Sequence, residues 1–253
     1  MRFTIQAACG CNIGKVRTNN EDNFFFDGKC LEENNEGLRH PVLIEDTLKN
    51  GFCVAVFDGM GGENFGEIAS YAAVRQMQQM QRGLSDFLIS ESNYLKRLTH
   101  QLDSAVGKMQ QQMQTNRMGT TMVSLYFAGK YVYVCNVGDS RAYRLRDGEF
   151  LQLSQDHVEK QPANSRRKAA LTQYLGFGSD ETELDPYIAK GQLKTGDQYL
   201  LCSDGLSDML TNFEISDIML NSEDAENCVQ ELINAALEHG GRDNITAIVC
   251  RIE

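Results

Sequence analysis

Short runs of β-branched and aromatic residues, set off by tight turns, constrain this chain more than any other feature. They fall at Phe3–Ala8, Asn23–Asp27, Gly51–Phe57, Thr120–Phe127, Tyr131–Val137, Ala142–Arg146, Phe150–Leu153, Gln198–Cys202 and Asn244–Arg251. Runs of this length and composition read as strands. Gly129-Lys130 marks a turn between two of them. Asp147-Gly148 is a stronger hairpin signal, because a type I′ turn needs positive φ at both central residues. Hairpins join antiparallel neighbours, so a β-rich core with helices outside it is favoured over a doubly wound parallel sheet. So many strands in one chain imply two packed sheets. Three segments carry a helical period: Glu67–Gln81, Tyr94–Gln114 and Ala225–His239. In the second, Leu95, Leu98, Leu102, Val106 and Met109 share one apolar face. The third is stopped by Gly240-Gly241. The glutamine-rich stretches 76–81 and 110–114 read as exposed helix faces.

Composition narrows the class. Hydrophobic residues make up 42% of the 253, enough for a sizeable core, so general disorder is excluded. Lys and Arg total 24 against 35 Asp and Glu, a net charge of −11. That acidity argues against sequence-independent nucleic-acid binding and against docking on an anionic membrane. No run reaches the ~18 apolar residues of a membrane span, and the N-terminus reads as a first strand, not a signal peptide. A cytoplasmic location with reduced thiols is therefore expected for the eight cysteines. Cys53, Cys135, Cys202 and Cys250 sit in apolar runs and read as buried thiols. Cys9 and Cys11 lack a second ligand pair at zinc spacing. With three prolines and no linker, residues 1–253 read as a single domain. The acidic stretch 31–50 reads as an exposed loop or a short hairpin.

Acids gather at strand ends. Glu21-Asp22 follows Arg17, Asp58 comes directly after the apolar residues of VAVFDGMGG, Asp204 stands in the same position in YLLCSDGLSD, and Asp243-Asn244 precedes the last strand. A carboxylate at the end of an apolar strand is costly unless it is paired or binds metal. Asp58 and Asp204 precede glycines, which allow close backbone approach. One Asp-Gly pair alone is most often a turn. Several strand-end carboxylates without Cys or His neighbours describe an oxygen-rich site suited to Mn²⁺ or Mg²⁺. Such two-metal sites activate water and clamp a phosphoryl group.

The chain also resembles the metal-dependent protein phosphatases of type 2C, in their bacterial branch. The matching segments are VRTNNEDN (16–23), VFDGMGG (56–62), GEIAS (66–70), GTTMVSLYFAG (119–129), VYVCNVGDSRAYRLRDGEFLQLSQDH (132–157), LTQYLG (171–176), YLLCSDGLSDML (199–210) and GGRDNIT (240–246). Order and spacing match over nearly the whole chain. The resemblance implies an α+β fold: a β-sandwich of two antiparallel sheets flanked by helices, in four αββα layers. It implies a Mn²⁺- or Mg²⁺-dependent phosphoprotein phosphatase holding two metal ions, with a third in bacterial members. Asp58 then bridges two ions, Gly59 offers its carbonyl, and Asp204 and Asp243 complete the first ion's ligands. Glu21 acts through water on the second ion, and Asp22 supports it. Asp139 holds the third ion with Asp204. Arg17 binds the substrate phosphate, a task its guanidinium suits.

Departures from the family pattern also stand out. Met60 replaces a His that serves as a proton donor in many eukaryotic members, and Met cannot donate a proton. His157, in QDH, reads as structural. The flap segment around 157–171 is short, and Arg166 and Arg167 in it are candidate phosphopeptide contacts. Cys11 and Arg17 meet the spacing of a cysteine-dependent phosphatase, but the Gly-rich phosphate cradle is missing. The implied substrates are phosphoserine and phosphothreonine proteins, including a bacterial serine/threonine kinase, and the chain is expected to be a monomer. The alternatives are a catalytically weak phosphoprotein-binding relative and a phosphatase of small phosphate esters.

Overall fold

The computed structural model describes residues 3–61, 65–80, 90–161, 169–177 and 184–253. Among them two antiparallel sheets lie face to face. The first runs β3 (Val42–Thr47), β1 (Thr4–Asn12), β12 (Ile245–Ile252), β11 (Gln198–Cys202), β8 (Arg141–Arg146), β9 (Glu149–Gln152). The second runs β10 (Tyr187–Gln192), β7 (Tyr131–Val137), β6 (Met122–Ala128), β4 (Phe52–Gly61), β2 (Asp22–Phe26). A short β5 (Met118–Thr120) pairs with the end of β4.

Side-chain alternation explains the layering. In β4, Phe52, Val54 and Val56 enter the core between the sheets, while Cys53, Ala55 and Phe57 face the helices α1 (Gly66–Met80) and α2 (Glu91–Met113). In β12, Ile248, Cys250 and Ile252 face inward. Ala247 and Val249 face the opposite helical layer, where α3 (Asp204–Ser207), α4 (Asn212–Asn221) and α5 (Ala225–Glu238) pack. Both faces of the central strands are covered, so they read as continuous apolar runs instead of alternating ones. The result is the expected four-layer αββα sandwich. The predicted hairpin holds: Asp147 and Gly148 have φ of 52° and 82°, joining β8 to β9.

Two expectations need correction, and one helix, α4, escaped the sequence reading. Residues 42–47, placed in an exposed loop or short hairpin, form β3, an edge strand on β1. Its Glu45, Asp46 and Thr47 are exposed and leave little apolar pattern to read. α4 lacks strong periodicity, with only Ile215 and Met219 buried; its signal is the capping box between Thr211 and Glu214. Gln110, placed on an exposed face, donates its side-chain amide to the carbonyls of Met118 and Gly176, each at 2.6 Å.

Candidate metal centre

The antiparallel register carries the acids to one end of the sandwich. Asp22 pairs with Asp58 across β2 and β4, Cys202 pairs with both Arg141 and Ala247, and Cys11 pairs with Thr246. The end of β4, the start of β2, the turn after β7, the end of β11 and the start of β12 therefore share one rim. There Arg17, Glu21, Asp58, Gly59, Met60, Thr121, Asp139, Asp204, Asp243 and Ala169–Leu171 line a cleft of about 360 Å³. At ~30 Å³ per water this holds roughly a dozen waters, room for hydrated cations and a phosphate. An adjoining depression shares Asp139 and Asp204 and adds Asp156 and Asp208.

Local packing explains the Asp-Gly pairs. A Cβ on Gly59 would lie 2.2 Å from the Gly66 carbonyl oxygen and 2.5 Å from that of Glu21. One on Gly205 would lie 1.9 Å from the Asn244 carbonyl oxygen. Each acid thus sits where two chain segments touch backbone to backbone, which only glycine permits. At Asp58, β4 leaves β6 for β5. Thr121 bridges the switch: its hydroxyl accepts from the Asp58 N–H at 3.1 Å and pairs with Ser140 at 2.7 Å, beside Asp139.

Asn244 organises the Arg17–Glu21 segment. Its side-chain amide donates to the carbonyls of Ile13 and Asn19 at 2.9 and 3.0 Å, and its Oδ1 accepts from the Glu21 N–H at 2.8 Å. Sequence reasoning placed Asn244 beside an acid but gave it no role. Ser203 and Thr246 went unnoticed; their signal is a lone hydroxyl in an apolar run next to an acid.

Asp22, expected to support Glu21 at the metal site, is not among the residues that line the cleft. It lies beneath the cleft, fully buried, and its Oδ2 accepts from the hydroxyls of Ser203 and Thr246, both at 2.7 Å. Those partners belong to the opposite sheet, so Asp22 clasps the two sheets at the site end. Burial pushes its carboxyl up to about 7 against the pull of the two hydroxyls. Glu21 is also pushed up by burial, opposed by Arg17 and by the Gly66 N–H.

Arg17 donates to Asp243 at 2.7 Å, and its side chain is 48% exposed. That hydrogen bond holds its guanidinium firmly charged. An exposed pair of this kind is worth about 1 kcal/mol or less, so exchanging Asp243 for a phosphate dianion costs little. His157 does not line the cleft. It clamps the turn before Asp139: its Nδ1 accepts from the Gly138 N–H at 3.1 Å and its backbone N–H donates to the Gly138 carbonyl at 3.0 Å. Burial holds its pKa down, so it accepts as a neutral ring. Val158 pairs with Leu171 in an isolated bridge, and the Glu159 N–H donates to the Ala170 carbonyl. Arg166 and Arg167 lie outside the described residues.

The donors fit hard divalent cations. Carboxylates and backbone carbonyls line the cleft, with no Cys or His among the described lining residues. The acids stand around an open cleft; among the described residues no three His, Cys, Asp or Glu side chains are drawn together closely enough to hold an ion between them. The thiols are buried or half-buried, and burial pushes those of Cys11 and Cys202 up to about 12, as befits core residues and not nucleophiles.

Residues 43–248 match the family model for protein phosphatase 2C. The chain belongs to the protein phosphatase 2C family. Within it, the serine/threonine phosphatase stp of Listeria monocytogenes is 31% identical over 251 residues, covering 93% of this chain and 91% of that one. The serine/threonine protein phosphatase PstP of Mycobacterium tuberculosis is 30% identical across 99% of this chain and 45% of its own longer chain. Among solved structures, the catalytic domain of PstP in complex with two manganese ions superposes with a TM-score of 0.75 at 27% identity, covering 99% of both chains. PppA, a key regulatory component of T6SS in Pseudomonas aeruginosa, gives 0.78 at 28% identity over 98% of both. These likenesses span both sheets and both helical layers of the 2C fold.

Proposed function

We propose that this chain is a manganese-dependent serine/threonine protein phosphatase that transfers the phosphoryl group of phosphoserine and phosphothreonine to water. The observation that carries this reading is the convergence of Glu21, Asp58, Asp139, Asp204 and Asp243, from both sheets, on one cleft shared with Arg17. Asp58 and the Gly59 carbonyl would hold two Mn²⁺ ions between them, Asp204 and Asp243 would complete one, and Glu21 would serve the other through water. Bound Mn²⁺ supplies Lewis acidity, which makes water a better nucleophile and draws charge from the phosphoryl oxygens. Arg17 orients the phosphate and stabilises charge on its non-bridging oxygens. Thr121 fixes the backbone of Asp58, and Asn244 fixes that of Glu21. Met60 offers no proton to the leaving alkoxide. No covalent phosphoenzyme is invoked.

The finer assignments rest on sequence grounds. Residues 1–253 form one catalytic domain with a short flap around 157–171. Mg²⁺ substitutes for Mn²⁺, and Asp139 with Asp204 holds a third, weaker ion. The enzyme is a cytoplasmic signalling monomer whose substrates include a serine/threonine kinase, and Arg166 and Arg167 contact the phosphopeptide. No described helix is long and apolar enough to cross a membrane.

The test compares phosphate release from a phosphothreonine peptide and from p-nitrophenyl phosphate, in Mn²⁺ and in EDTA. Mn²⁺-dependent release with a higher kcat/KM for the peptide is expected. Preference for the small ester would replace the protein substrate class. Bound Mn²⁺ without any turnover would favour a phosphoprotein-binding role.

A further inference from the structure

Glu67 stands apart from the acids already described. It is the second residue of α1, is only 7% exposed, and its Oε2 has no hydrogen-bond partner among the described residues. A carboxylate oxygen removed from water without a donor is among the costliest groups a fold can carry. A helix N-terminus favours the charge but does not satisfy the atom. Its surroundings sharpen the question. The residue before it, Gly66, donates its backbone N–H to the Glu21 carboxylate, and a Cβ there would lie 2.7 Å from that carboxylate. The Gly66 carbonyl packs against Gly59. Glu67 is near enough for its charge to bear on Glu21. The neighbouring cation, Arg17, is engaged by Asp243. Two acids thus lie near one another where α1 starts against the end of β4, and one of them is buried with an oxygen unpartnered among the described residues.

We propose that Glu67 is a further acid of the divalent-cation site, holding with Glu21 the water shell of the ion on the Gly59 side. Glu67 is not among the residues lining the cleft, so the proposal places it behind Glu21, acting on the ion through water and not as a direct ligand. This rests on the metal-dependent reading of the cleft.

The test is Mn²⁺ titration calorimetry on the full chain, with melting curves in EDTA, for wild type, Glu67→Gln, Glu67→Met and Glu45→Gln. Both Glu67 variants are expected to weaken one Mn²⁺ binding step at least tenfold. Their melting temperature in EDTA is expected to equal or exceed that of wild type, because a buried unpartnered charge has gone. Glu45→Gln, on the distant edge strand β3, is expected to change neither. Mn²⁺ affinity within twofold of wild type in both variants would overturn the assignment. So would a loss of affinity accompanied by a lower melting temperature in EDTA, which marks a folding role. A wild-type chain that binds no Mn²⁺ would instead overturn the metal reading of the whole cleft.

Discussion

Asn244 and Gly205 meet where β12 begins, and each holds a different part of the cleft. The Asn244 side chain ties Ile13, Asn19 and Glu21 together through three hydrogen bonds. Asn244→Ala is expected to lower kcat/KM by about 10–100-fold, the usual cost of losing a group that orients metal ligands. Circular dichroism should show the fold intact. Gly205→Ala forces a methyl against the Asn244 carbonyl oxygen. Urea unfolding should show a loss of about 1–3 kcal/mol, the range for overpacked sites. These residues also show what the sequence could not display. The acids at Asp58, Asp204 and Asp243 are legible because a charge at the end of an apolar run is anomalous. The burial of Asp22, adjacent to Glu21, is not, because it depends on hydroxyls from residues 203 and 246 arriving from the other sheet.

At the scale of elements, legibility followed burial. β4, β6, β7, β11 and β12 are covered on both faces and announce themselves as apolar runs. β3 lies at an edge, and two of its six residues are acidic. β10 is also an edge strand, and its partly exposed residues, with Gly191 among them, gave no strand signal. The turn joining β10 to β11 carries an ion pair with its own pH dependence. Arg146 of β8 reaches Asp197 at 2.6 Å, and the Asp197 side chain is wholly buried. Burial alone would raise that carboxyl, but Arg146, the Lys194 N–H and the Tyr199 hydroxyl outweigh it and hold it below the ordinary range. A carboxyl whose folded pKa lies below its unfolded value of about 3.9 stabilises the fold above that pH. The contribution is lost as pH falls through the folded value. Asp197→Asn is therefore expected to cost about 3 kcal/mol at neutral pH, because it strands Arg146. The deficit should shrink below about pH 4, as read by urea unfolding at pH 7 and pH 3.

For the whole molecule, the net charge of −11 gains a local cause. Acids from both sheets share one rim, where their mutual repulsion opposes folding and bound divalent cations relieve it. Mn²⁺ at about 100 times its Kd should stabilise the chain by roughly 2.7 kcal/mol. For a domain of this size that is a rise in Tm of about 5–10 °C. EDTA should reverse it.

The most direct test is Mn²⁺-dependent phosphate release from a phosphothreonine peptide by wild type and Asp58→Asn. Asp58 sits where β4 changes partner, and the proposed two-metal arrangement turns on it. Wild type should turn over only with Mn²⁺, and Asp58→Asn should lose more than about 100-fold, beyond the cost of removing a supporting group. Turnover in EDTA, or an Asp58→Asn enzyme as active as wild type, would contradict the two-metal centre.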